Sequence, residues 1–97
     1  MKVRNMKSEN GNKIANQFII EDIPVNMEFG ILPSCDVFQS YNSIIAVRDL
    51  TDRIFLDKKF WNYSKTTSKY RNMFLGESTK ETQKKIDSGE YILANLN

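Results

Sequence analysis

Histidine does not occur among the 97 residues of this chain. Its absence removes Ser-His and Cys-His nucleophilic catalysis and every His-ligated zinc or iron arrangement. A single cysteine, Cys35, excludes an intramolecular disulfide and any Cys-cluster metal site, and points to a cytoplasmic protein. Cys35 follows Pro33-Ser34 with no nearby cation to activate it, so a reactive thiol is not expected. The four glycines fit neither phosphate-loop pattern. No apolar run approaches the length that spans a bilayer, and Met1–Lys13 lacks the hydrophobic core of a signal peptide, so no membrane association is expected. Asp49-Leu50-Thr51-Asp52 is too short for a calcium loop and lacks its later ligands. The pairs Glu21–Asp22 and Asp49–Asp52 sit at predicted strand ends, where turn formation accounts for them without acid–base work. No catalytic residue, metal or cofactor is therefore assigned, and the chain is not expected to be an enzyme.

What is present suffices for one small core. Hydrophobic residues make up 40% and charged residues 27% of the chain, a balance that favours a globular domain over disorder. At this length a single domain forms, with little room for a buried cleft. The net charge of +2 is unevenly spread. Lys2, Arg4, Lys7 and Lys13 meet only Glu9 in residues 1–13, and residues 14–47 carry only acids (Glu21, Asp22, Glu28, Asp36). Residues 48–85 then hold twice as many cations as acids. An acidic stretch is thus followed by a basic second half.

The expected class is α+β: a small antiparallel β-meander of about four strands packed by two C-terminal helices. Met1–Asn12 is rich in Asn, Lys and Ser and ends in Asn10-Gly11, so residues 1–13 are read as a flexible N-terminal arm. Residues 14–97 form the single domain. Ile14–Glu21 is its first strand, with Ile14, Phe18 and Ile20 on one face at period two and Asn16 and Gln17 at tolerated half-solvated positions. Val37–Tyr41 and Ile44–Val47 are separated by Asn42-Ser43, and Asn accepts the left-handed backbone of a turn or bulge. Arg53–Leu56 is a short fourth strand, and Tyr91–Leu96 can add a last one. Ser64 or Thr66 caps a helix that puts Thr67, Tyr70 and Phe74 on one face, puts Lys65, Lys69 and Asn72 on the other, and stops at Gly76. Ser78-Thr79-Lys80-Glu81 fits a capping box for a second helix ending near Gly89. Glu81 and Lys85 there make an i,i+4 pair worth ~0.2–0.5 kcal/mol.

The densest chemistry lies between Phe60 and Phe74. Phe60, Trp61, Tyr63, Tyr70 and Phe74 interleave with Lys65, Lys69 and Arg71 and with no acid. Spacing at i, i+4 reads first as a seam between helix and sheet. The same rings, exposed beside a cationic groove, would form a base-stacking platform. Lys58, Lys59, Lys65, Lys69 and Arg71 are accordingly either a solvated face or a contact for phosphates or an acidic protein surface.

Ala15–Glu21 (ANQFIIE), Phe38–Val47 (FQSYNSIIAV), Trp61–Glu77 (WNYSKTTSKYRNMFLGE) and Ser88–Asn97 (SGEYILANLN) resemble, in this order, a family of short uncharacterised proteins carried by bacteriophages and bacterial mobile elements. The resemblance implies a phage-type accessory protein acting in the cytoplasm of a bacterial host cell, and it brings no assigned activity and no catalytic residues. It also exposes a departure. Relatives join the first two strands by a short turn, whereas here an insert, Asp22–Asp36 (DIPVNMEFGILPSCD), intervenes and is long for a hairpin loop. Val25, Met27, Phe29 and Ile31 alternate with polar residues and glycine between Pro24 and Pro33, which suits an extended hairpin arm or an edge strand. These four side chains either cap an open end of the core or form a contact surface for a protein partner or for a homodimer.

Two functional readings result. The preferred one is a non-enzymatic phage-type accessory protein that binds and modulates a host protein, in its specific form as an inhibitor of a defence system such as an RNA-guided nuclease. The alternative is a nucleic-acid-binding accessory protein using the basic 58–71 face.

Overall fold

Alternating apolar residues and tight turns carry the first 57 residues through five consecutive antiparallel strands. The computed structural model describes residues 1–97. Its strands are β1 (Lys2–Lys7), β2 (Lys13–Met27), β3 (Gly30–Ser40), β4 (Ser43–Arg48) and β5 (Ile54–Asp57), each paired with the next. Helices α1 (Lys65–Leu75) and α2 (Thr79–Asp87) then return the chain so that β6 (Ile92–Ala94) joins β5 in parallel. A parallel neighbour needs such a crossover. The α+β class stands, but the sheet has six strands rather than about four.

The extra sheet has two sources: a segment read as a flexible arm, and the insert, which lengthens two expected strands. Lys2–Lys7, expected in a flexible arm, is a paired strand with Met6 buried against the core. Its apolar signal was diluted by Lys2, Arg4 and Lys7, which suit an edge strand. The insert at 22–36 is strand on both sides of a two-residue turn, Glu28-Phe29, so β2 and β3 form one long hairpin. The extended-arm form expected for this insert is the one present.

Register inside β2 differs from the simple period-two reading. Asn16 takes a left-handed backbone, φ 64°, and resets the alternation as a bulge does. Ile14 and Ile19 therefore pack on one face while Ile20 packs on the other. Gln17, placed at a half-solvated position from sequence, is fully buried with neither side-chain polar atom bonded.

The sheet has two apolar faces. One, beneath the helices, gathers Phe38, Ile45, Ala46, Leu56, Tyr70 and Tyr91, with Trp61, Phe74 and Ile86 packed around them. Phe38 stacks on Phe74 with ring centroids 6.0 Å apart. The other holds Leu32, Cys35, Val37, Val47 and Phe55. Helix ends follow the expected chemistry. Ser64 accepts from the Thr67 N–H, Gly76 turns left-handed, and Ser78 with Glu81 completes the capping box.

Gln17 yields a test. A buried side-chain amide without partners costs about 1–3 kcal/mol, so Gln17→Met, close in volume and apolar, is expected to be neutral or to stabilise by about 1 kcal/mol. Urea denaturation reads it, and a loss of stability would reveal an unrecognised role for the amide.

Candidate functional site

Strand register shows how far the arm projects. β1 reaches β2 only as far as Lys2↔Glu21, and β4 reaches β3 only as far as Asp36↔Arg48. Ile23–Cys35 therefore leaves the sheet as a two-stranded arm. It bends where Asp22 adopts φ 57° and the register shifts. Ser34 Oγ donates to Asp22 Oδ1 at 2.6 Å, and the Asp22 N–H reaches Asp36 Oδ1 at 3.4 Å. These bonds employ Asp22 in a bulge rather than at a strand end.

The bend returns the arm across the face opposite the helices. Phe29, at its tip, lies with its ring centroid 5.9 Å from that of Phe55 on β5. Val25 and Met27 are half-buried against the second apolar cluster, together with Ile23. Phe29 and Ile31 remain 65% and 68% exposed. The four residues singled out from sequence thus divide into two that cover core and two that face solvent. Beside the arm runs a groove of about 230 Å³ lined chiefly by Ile20, Ile23, Val25, Ile44, Val47 and Leu96. Its far wall is the C-terminal tail, held because Asn97 bonds both the N–H and the C=O of Ile44, at 2.7 and 2.9 Å. The Leu96 N–H also donates to Asp57 Oδ1 at 2.9 Å.

The basic residues do not converge into one groove. Lys58 lies beside β6, Lys65 beside Asn62 and Tyr63, and Lys69 beside Ser8–Asn10. Lys59 is exposed after β5. Arg71, read from sequence as a surface cation, has no exposed surface. Its guanidinium donates to the Trp61 carbonyl, to Asn62 Oδ1, and to Asn72 Oδ1 and Thr79 Oγ1 at 2.8 Å, and it lies 5.0 Å from the centre of the Trp61 ring. Burial lowers its pKa, against the pull of Glu77. Of the aromatics, Tyr70 is buried, Phe60, Trp61 and Phe74 pack at the edge of the helix-side core, and Tyr63 is 46% exposed.

Glu77 was not marked in the sequence. It sits in the link between α1 and α2, only 4% of its side chain exposed, and accepts from Lys85 Nζ at 2.8 Å and from Thr82 and Tyr91 at 2.6 Å. Burial pushes its pKa up, but the bonds from Lys85, Thr82 and Tyr91 outweigh this and hold the carboxyl below its usual range. Tyr91, buried and facing that carboxylate, is pushed up to about 12. The expected Glu81–Lys85 pair does not form, since Lys85 turns to Glu77 and Glu81 is taken by the Ser78 N–H. No linear spacing announces Glu77, because its partners assemble only when α2 docks.

With this geometry in place, comparison with protein families gives a match. Residues 1–90 fit a family of unknown function, DUF8033. The chain belongs to that family. Comparison with curated proteins gives no match, and neither does comparison with solved structures. The matched residues thus take in β1–β5, the arm and both helices, and the match assigns no activity to any of them.

Glu77 sets a pH dependence. Because its folded pKa lies below the unfolded value of ~4.3, its contribution is complete above that pH and is lost as pH falls through the folded value. Asp49 behaves likewise. Burial opposes its ionisation, but bonds from Thr51 and Arg53 prevail and lower its pKa. Glu77→Gln is expected to cost about 1.5–3 kcal/mol at pH 7 and to flatten, without abolishing, the fall in stability below about pH 4. Thermal melts at several pH values check both.

Proposed function

We propose that this protein is a non-enzymatic binding module that engages a host protein through its β2–β3 arm, as a phage-type accessory protein modulating host machinery. The carrying observation is the exposure of Phe29 and Ile31, 65% and 68%, at the tip of an arm whose Val25 and Met27 turn inward. Large apolar side chains displayed this way mark protein contacts, and an aromatic at the centre of a contact carries much of its energy. The apolar groove beside the arm would extend the contact surface. The likeness of the ANQF, FQSYNSIIA and WNYSKTTSKY segments to phage and mobile-element proteins favours a host partner, with a defence system such as an RNA-guided nuclease as the specific target. A non-enzymatic role accords with the lack of histidine and with Arg71 and Glu77 being engaged by their own helices and links.

Nucleic-acid binding is the second reading, favoured by exposed Tyr63 beside Lys65 in one shallow cleft. It predicts retention on DNA or RNA that falls steeply with salt and disappears in Lys65→Glu with Lys69→Glu.

The arm reading separates its four residues. Phe29→Asp with Ile31→Asp is expected to shift Tm by no more than about 2 °C while abolishing co-purification of the host partner. Met27→Asp, which buries a charge, should instead cost about 1–3 kcal/mol. Retention of the partner by the stable double variant would overturn the reading.

A further inference from the structure

The two ends of the sheet differ in character. β1 presents Lys2, Arg4 and Lys7 along its edge and carries a register irregularity between Asn5 and Lys7, features that keep other strands away. β6, at the opposite end, is Ile92-Leu93-Ala94, without charge or proline, and its Ile92 and Leu93 are 42% and 37% exposed. The Lys58 N–H donates to the Ala94 carbonyl at 2.9 Å, so Ala94 turns its main-chain groups toward β5. Strand alternation then turns those of Leu93 outward. Alongside lies a cleft of about 170 Å³ lined by Met27 and Phe29 of the arm, Phe55, Ile92, Leu93 and Lys58. Lys58 is exposed and joins no ion pair. Glu28, on the turn of the arm, also borders the cleft.

We propose that the edge of β6 is a strand-addition site. An extended apolar segment of a protein partner pairs with Leu93, sets one apolar side chain in the cleft against the Phe29–Phe55 pair, and places one carboxylate on Lys58. This rests on the reading of the arm as the contact surface and gives the form the partner takes there. Main-chain bonds hold such a segment while the pocket and the cation select it. Lys58, with Lys59 next to it, draws an acid; Glu28 repels a run of acids, so the segment is apolar with a single carboxylate. A second copy of this chain fits poorly. The stretch Tyr91–Asn95 that it would offer carries no acid, and it brings Lys58 and Lys59 of its own. Three residues of edge also make few main-chain bonds, so the pocket and Lys58 supply the remaining selectivity.

The test screens a library of short random peptides against the full chain at low salt, followed by titration of the most enriched sequence. Enrichment of β-branched or aromatic residues around one Asp or Glu is expected. Affinity should fall about tenfold in Lys58→Glu, equivalent to about 1.4 kcal/mol, and should recover when the peptide acid is exchanged for Lys. Leu93→Pro, which removes the outward N–H, should weaken binding similarly. Because that variant can disturb β6, backbone N-methylation of the peptide gives the same information on the unaltered protein. Failure to enrich any peptide overturns the proposal, as does binding indifferent to Lys58→Glu and to N-methylation. If binding ignores those two changes but is lost in Phe29→Asp with Ile31→Asp, the arm contact stands and strand addition falls. If instead the double variant keeps its host partner while the peptide still depends on Lys58, the arm reading is what fails. A concentration-dependent dimer abolished by Leu93→Pro would give the edge to a second copy and overturn the proposal.

Discussion

A sheet covered by helices on one side only must still keep water from its other side, and the long β2–β3 hairpin answers that constraint here. Val37, Val47 and Phe55 are all but fully buried on the face away from α1 and α2. No second helical layer lies over them. Their cover is the arm that turns at Asp22 and brings Ile23, Val25 and Met27 against them, together with the tail fastened by Asn97. Burial at about 25 cal/mol per Å² makes such cover worth several kcal/mol, so the arm serves the fold before it serves any partner. Once the inward positions are spent on this, the residues left over at the tip are what the molecule can offer outside.

The helical side is organised by two buried charges that lie close to one another along the chain. Arg71 ties the Trp61–Asn62 segment to the last turn of α1 and to the start of α2. Glu77 ties the link between the helices to Thr82 and Lys85 of α2 and to Tyr91 ahead of β6. α2 has a thin apolar face, one half-buried isoleucine with buried Thr82, and these polar contacts hold it where apolar packing alone would be weak. Asp57 does comparable work at the end of β5, accepting from the N–H groups of Lys59, Phe60 and Leu96. Buried charges with several donors each are costly to break singly, which makes this region a rigid base for β6 and its cleft.

Much of the local structure was legible from residue order. The Ser64 and Ser78 caps, the left-handed stop at Gly76, the aromatic seam of α1 and the hairpin nature of Asp22–Asp36 follow from short-range rules that the chain obeys. Legibility stopped at bulges and at polar burial. Asn16 flips the side-chain alternation, so Gln17 goes inside and Ile20 goes to the second face. Arg71 looked like a surface cation among lysines and is a buried brace. Lys85 looked like a partner for Glu81 and belongs to Glu77. In each case the deciding contact comes from a residue whose approach depends on packing, which spacing does not encode. The candidate site was half legible: alternation marked Val25, Met27, Phe29 and Ile31, but not which of them the sheet would claim.

By itself the sequence determined the α+β class, the order of most elements, the helix ends and the chemistry excluded by the missing histidines, because these depend on composition and on neighbours within a few positions. Tertiary structure alone decided the opposed assignments within the arm, the scattering of the lysines, the burial of Arg71 and Glu77 and the two unlike edges of the sheet. Those outcomes depend on how the arm bends at Asp22 and where the helical crossover delivers β6. Both are settled by the requirement that apolar surface on each face of the sheet be covered and every buried charge be bonded.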